Sequence, residues 1–379
     1  MIPWTDEPTP LSPQFTSALR ELGHELKAHG FSSDFVPSLL GAADDVDLLR
    51  NSALYSLWSR DRTGELAATP TGVLAELFIR NGEVPPDLYR RLLSPALRFA
   101  LEALEIVQDI DGALRSRVSI SPLDASYYLS DQLFECRPES DGYPAMAKNS
   151  GGAFDPVMPP HASTLRLMRH VSARGRRLLD IGTGSGVLAL HQAHRYESVA
   201  GVDIDPRAVG YARANALLAG RDAVFEVGDF RAGLEEFGSV DHVVFNAPGR
   251  ASGGADAPEG VPPLHAEGLV KDVVAHLPRF LAAPGGLAEV LVIVAVPHRL
   301  PTAADVVAEW IGGPAPLAGI EVAEVADPAL SVPADAIERL RIQPGCLLAD
   351  DRVEAEALVR ELKRFGIRKV TPAVLSITT

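Results

Sequence analysis

The sequence predicts an α/β chain in which a largely parallel sheet follows a mainly helical N-terminal module. Three observations carry that expectation. The stretch Arg177-Leu-Leu-Asp-Ile-Gly-Thr-Gly-Ser-Gly-Val-Leu-Ala-Leu190 runs from a short apolar strand through a glycine turn into a helix. Further apolar runs ending at Asp203, Val227 and Asn246 alternate with helix-spaced segments, the pattern of a parallel sheet. Before residue 107 the apolar positions recur at helical spacing instead, as at Phe15, Leu19, Leu22 and Leu26.

The glycine turn comes first. Gly182, Gly184 and Gly186 occupy every second position, whereas a dinucleotide fingerprint would carry its third glycine where Val187 stands. The carboxylate of Asp180 at the strand end would repel a diphosphate but suits a ligand with an ammonium group and a sulfonium. S-adenosylmethionine is such a ligand. Ser198 to Asp203 is a second strand closing on an acid placed to accept ribose hydroxyls, with Ile204 as an apolar wall for adenine. Asp205 and Pro206 then start a helix as N-cap and first residue. Ala223 to Val227 is a third strand; beyond it Asp229 can accept from the adenine amino group while Phe230 covers the ring.

Asp180 to Gly186, Val202-Asp-Ile-Asp-Pro206 and Gly228-Asp-Phe230 together resemble the class I S-adenosylmethionine-dependent methyltransferases. The fourth strand, Asp241-His-Val-Val-Phe-Asn-Ala-Pro-Gly249, resembles the branch with Asn-Pro-Pro-Tyr at this point, which methylates planar or amide nitrogens. The resemblance puts the family's asparagine at Asn246, accepting from the target nitrogen, with the Ala247 carbonyl as second acceptor and Pro248 beside it. The first proline is replaced by Ala247 and the stacking aromatic by Gly249, so a flat acceptor loses a surface worth on the order of 1 kcal/mol. Leu74 to Arg80 and Phe365 to Leu375 further resemble bacterial glutamine N-methyltransferase relatives. What this resemblance implies is a Rossmann-like seven-stranded methyltransferase sheet ordered 3-2-1-4-5-7-6, its last strand antiparallel.

The remaining segments follow in order. Helices are expected over residues 12–30, 46–60, 71–80, 86–93 and 96–106, and a hairpin over 115–121 and 126–133, which makes the N-terminal module winged-helix-like. Its candidate recognition helix carries only Arg90 and Arg91 as cations, so a lid or dimerisation role ranks above DNA binding. Domains are expected at 1–135, 136–161 (linker or active-site lid) and 162–379. Within the lid, Tyr143, Lys148, Phe154, Asp155, Met158 and His161 are candidate substrate or cofactor contacts. The loop 249–263 offers Arg250, Asp256 and Glu259, and His265 follows it. Leu287 to Val296 reads as the fifth strand, 302–310 as a helix, 320–326 as a strand, 353–365 as the last helix and 370–378 as the last strand.

A net charge of −15 disfavours a duplex nucleic-acid surface and favours a small-molecule or peptide substrate. Cys136 and Cys346 lack metal or disulfide spacing, no apolar run reaches membrane-spanning length and the N-terminus lacks a signal pattern, so no metal and a cytoplasmic location are expected. The expected function is methyl transfer, N-directed, to a small metabolite or amino-acid side chain, with Asn246 orienting the acceptor and His161, Asp155 or His265 as candidate bases. Two alternatives stay open: a methyltransferase-fold protein that uses the cofactor for another reaction or with a partner subunit, and, more weakly, an RNA or DNA methyltransferase. A homodimer or a heteromeric partner fits either.

Overall fold

The computed structural model describes residues 11–379 apart from 53–54, 57–58, 60–64, 66–67, 133, 136–144, 147–155, 233, 235–236, 249–265, 313–318, 328–329 and 336–351. Two compact units emerge. One comprises Met1–Ala162 with Gly184–Leu190 and Asp205–Asp222; the other comprises Ser163–Thr183, His191–Ile204 and Ala223–Thr379.

The first unit opens with α1 (Pro13–Ala28), α2 (Val36–Leu40) and α3 (Asp45–Arg50), followed by α4 (Pro70–Phe78), β1 (Glu83–Val84), α5 (Pro86–Leu92) and α6 (Pro95–Ala103). Hydroxyls set the starts of three of these: Ser12 accepts from the Phe15 amide, Thr69 from Gly72 and Ser94 from Leu97, each ahead of a proline at the first helical position. Next come β2 (Val107–Ile110) and β3 (Ala113–Ser116), which with β1 form a three-stranded antiparallel sheet. Asp111 and Gly112 join them with φ of 54° and 84°, the two-residue turn that Asp-Gly favours. β4 (Ser119–Leu123) and β5 (Ser126–Ser130) pair separately, and β6 (Phe134–Glu135) pairs with β7 (Ala145–Met146). The expected hairpin over 115–121 and 126–133 is therefore the second of two. The first was hidden because Val107 to Ile110 follows directly on a helix, which ends at Ala103 rather than 106.

In the second unit, α7 (Ala162–His170) precedes β8 (Gly175–Ile181). α8 (Val187–Gln192), β9 (Tyr196–Asp203), α9 (Pro206–Ala219), β10 (Val224–Val227), β11 (His242–Asn246), α10 (Glu267–His276) and β12 (Leu287–Pro297) follow in the chain. The chain closes with α11 (Ala303–Ile311), β13 (Gly319–Glu324), α12 (Arg352–Arg364) and β14 (Ile367–Thr378). Two helices of this stretch belong to the first unit: α8 as far as Leu190, and α9, whose Ala208, Tyr211 and Ala214 join the core of Leu19, Leu22, Leu74 and Leu101.

The seven-stranded sheet has the order β10-β9-β8-β11-β12-β14-β13. Counted along this sheet alone, that is 3-2-1-4-5-7-6. β14 runs antiparallel to both neighbours and the other pairs are parallel. The order reverses between β8 and β11, so ligands are expected beyond the carboxyl ends of those strands. β12 is buried along nearly its whole length, which is why it reads as an apolar run interrupted only by Glu289. Among the described residues no helix is long and apolar enough to cross a membrane.

Candidate functional site

Register places the strand ends side by side. Ile181 of β8 pairs with Val202 of β9 and Phe245 of β11, while Asp203 of β9 pairs with Val227 of β10. One edge of the sheet therefore carries Asp180, Asp203, Asp229 and Asn246 on four adjacent parallel strands or in the turns directly after them. Strand pairing also continues past the ends: the Gly228 amide donates to the Asp203 carbonyl at 2.9 Å and the Thr183 amide to the Val202 carbonyl at 3.0 Å.

Gly182, Gly184 and Gly186 have φ of 61°, 54° and 78°, a left-handed conformation costly for any residue with a Cβ. A Cβ on Gly184 would meet nothing within 4 Å, so the backbone there faces open space. Asp180 is only 2% exposed, and its Oδ2 accepts from the Thr183 hydroxyl at 2.8 Å. The carboxylate is thus held inside the turn and offers a ligand little open surface. Thr183 is accommodated by a glycine in the neighbouring strand: a Cβ at Gly201 would lie 2.7 Å from Thr183 Oγ1. In the other unit, the Ser185 hydroxyl donates to the Met158 carbonyl at 2.8 Å, tying the end of the 136–161 segment to the glycine turn. The buried Asn215 side chain donates to the carbonyls of Ser185 and Leu129 and accepts from the Leu129 amide.

The β9 and β10 ends differ in character. Ile204 is 53% exposed, an apolar side chain left in the open beside Asp203. Asp229 is half-exposed, and its Oδ1 accepts from the Arg231 amide at 2.9 Å. The Arg231 guanidinium lies 4.9 Å from the centre of the Phe230 ring and donates to Asp272 at 2.8 Å. The hydrogen bond to Asp272, reinforced by the charges of both carboxylates, holds Arg231 above its ordinary pKa. Phe230 itself is 6% exposed, packed against Phe245 and His276. The ring expected to cover adenine thus packs with the core.

At the β11 end the Asn246 Nδ2 donates to Ser163 Oγ at 3.0 Å and to Thr164 Oγ1 at 3.2 Å. Its Oδ1 is buried and, among the described residues, has no hydrogen-bond partner. The following Ala247 is buried, its amide donating to the Leu291 carbonyl at 2.9 Å, and Pro248 is exposed. His161 is half-buried, one residue before α7. Tyr143, Lys148, Phe154, Asp155, Arg250, Asp256, Glu259 and His265 lie outside the described residues. Sequence reasoning did not single out Ser163, Thr164, Ser185 or Arg231. A hydroxyl pair at a helix start reads simply as a cap, and only the fold brings it to Asn246.

Residues 150–260 match the family described as Methyltransferase small domain. Ribosomal protein L11 methyltransferase of Thermus thermophilus is 41% identical over 90 residues, 23% of this chain and 35% of that protein. Release factor glutamine methyltransferase of Deinococcus radiodurans is 42% identical over 74 residues, 19% of this chain and 26% of that protein. A longer match, 26% identical over 262 residues, covers 64% of this chain and 78% of the ribosomal protein L11 methyltransferase of Desulfitobacterium hafniense. The chain thus spans about a third or less of the first two relatives. Sheet order and glycine turn together define a Rossmann-like α/β domain, and part of it is similar to the Methyltransferase small domain family.

Proposed function

We propose that the protein transfers a methyl group from S-adenosylmethionine to a nitrogen of a small metabolite or an amino-acid side chain. The observation that carries this reading is Asn246, which ends β11 at the sheet's topological switch with a buried Oδ1 that has no partner among the described residues. Residues at the same edge fit the cofactor. The left-handed glycine turn lets the backbone approach it, Asp203 suits the ribose hydroxyls, Ile204 the adenine face and Asp229 the adenine amino group.

When bound, the cofactor supplies an electrophilic methyl on a positively charged sulfur. The chain's residues have mainly to bind, orient and exclude water, and orientation alone is worth up to ~10 kcal/mol. Asn246 Oδ1 would accept an N–H of the acceptor, aim the nitrogen lone pair and share the positive charge that develops there. Should the acceptor need to lose a proton, His161 and Asp155 are the first candidates for a base. The relatives named for ribosomal protein L11 and for release factor glutamine make protein side chains one substrate class to try.

The test is incubation of the purified chain with methyl-labelled S-adenosylmethionine and a panel of ribosomal protein L11, glutamine-containing peptides, small amines and short RNA. Label on a nitrogen supports the proposal. Label on RNA alone moves the reading to the nucleic-acid alternative, and tight cofactor binding without transfer moves it to a cofactor-binding protein that needs a partner or runs another reaction.

A further inference from the structure

An asparagine amide has two N–H donors on one side and a carbonyl oxygen with two lone pairs on the other. At Asn246 both donors are engaged by neighbouring hydroxyls, Ser163 Oγ at 3.0 Å and Thr164 Oγ1 at 3.2 Å, from the first turn of α7. Two fixed N–H bonds define the amide plane, so the direction of Oδ1 is set as well. That oxygen is buried and, among the described residues, without a partner, which is unfavourable until a donor arrives. An acceptor left idle while its own donors are doubly satisfied is poised for a donor that arrives with the substrate.

We infer that Ser163 and Thr164 are positioning residues that lock the Asn246 amide with its oxygen toward the acceptor, and so select a nitrogen that still carries a hydrogen. This inference rests on the methyltransferase reading and deepens it by naming what the site requires of its substrate. Primary and secondary amides or amines qualify; tertiary nitrogens, thioethers and carboxylates do not. In the transfer the nitrogen lone pair forms the N–C bond and the C–S bond breaks with its electron pair going to sulfur. One proton then leaves the methylated nitrogen for water. The opposite amide orientation, with the oxygen taking both hydroxyl protons and the NH2 group facing the substrate, would instead favour an acceptor atom without hydrogen.

Two experiments decide between these arrangements. The first needs no substrate: in protein labelled with 15N-asparagine and saturated with S-adenosylhomocysteine, the Asn246 side-chain NH2 should exchange slowly with water. The double variant Ser163→Ala/Thr164→Val should speed that exchange at least tenfold, while Thr164→Ser should leave it slow. Fast exchange in the unaltered protein overturns the inferred orientation whatever the activity. The second uses the panel described under Proposed function. Ser163→Ala/Thr164→Val should lower kcat up to about 100-fold, the scale set by misplacing a reacting group by an ångström, with cofactor affinity within twofold. Thr164→Ser should retain most of the turnover, and adding Asn246→Ala to the double variant should cost little more. Unchanged kcat in the double variant refutes the positioning role. Slow exchange together with no transfer to any acceptor refutes the methyltransferase reading and the substrate selection with it, but not the amide lock.

Discussion

Gly201 sits in the middle of β9, and the most direct perturbation of the cofactor edge is to give it a side chain. In Gly201→Ala the new methyl would lie 2.7 Å from Thr183 Oγ1 and 2.8 Å from both Cδ1 and Cε1 of Phe225. Ordinary carbon contacts need about 3.5 Å or more, so one neighbour must retreat by more than half an ångström. Phe225 is buried in β10 and cannot swing away. Thr183 is held by its amide on Val202 and its hydroxyl on Asp180. Overpacking of this kind costs about 1–3 kcal/mol, and displacing the threonine strips the buried Asp180 carboxylate of a hydrogen bond worth about 1 kcal/mol more. A weakened turn should raise the Kd for S-adenosylmethionine about fivefold, the equivalent of that 1 kcal/mol. Calorimetric titration reads the Kd and denaturant unfolding the stability. Thr183→Ala removes the obstructing oxygen, so Gly201→Ala should cost less in that background than alone, a non-additivity of at least 0.5 kcal/mol. Full additivity, or a Gly201→Ala variant as stable as its parent, would refute the reasoning.

Three further outcomes are expected. Asp203→Ala should weaken cofactor binding about tenfold without altering the fold, because a ribose acceptor on a half-exposed strand end is lost; titration calorimetry showing equal affinity would remove the assignment. Asn215→Ala deletes a wholly buried side chain with three hydrogen bonds and orphans buried backbone groups of Leu129 and Ser185, so unfolding should show a loss of about 3 kcal/mol or more. Burial, then the nearby Glu289 charge, pushes the Tyr196 hydroxyl up to about 12. With an unfolded value near 10, its share of stability is present below pH ~10 and is lost as pH rises toward 12, at most about 2.7 kcal/mol. The alkaline stability limb of Tyr196→Phe should therefore be flatter than that of the parent; superimposable limbs would assign the effect elsewhere.

Legibility in the sequence followed the range of the interactions. The strand tips were readable because each is local: an apolar run, a glycine or acid, then a helix start such as Asp205-Pro206. Gly201 was not singled out, although a glycine inside a strand is a local sign of a close approach, here that of Thr183. The sheet order came from resemblance, and the strand pairing bears it out. Two kinds of feature escaped. Short elements such as α2 and β2 carry too few residues for a period, although Asp111-Gly112 marked the turn after β2. Side-chain pairs distant in the chain left no spacing to read: Asn246 finds Ser163 83 residues away, and Asn215 finds Leu129 86 residues away.

The supporting contacts share one consequence for how the site can work. Asp180 is held by Thr183, Asp229 by Arg231 and Asn246 by Ser163 and Thr164, so these polar groups at the strand ends are fixed before any ligand arrives. Fixed polar groups need no reorganisation when charge shifts, which is the condition for electrostatic and orientational catalysis with few chemically reactive side chains. Methyl transfer to a neutral nitrogen makes that demand and little else. The supporting hydroxyls and the guanidinium should accordingly govern rate and selectivity more than any single base, and conservative replacements that keep their hydrogen bonds should keep the activity.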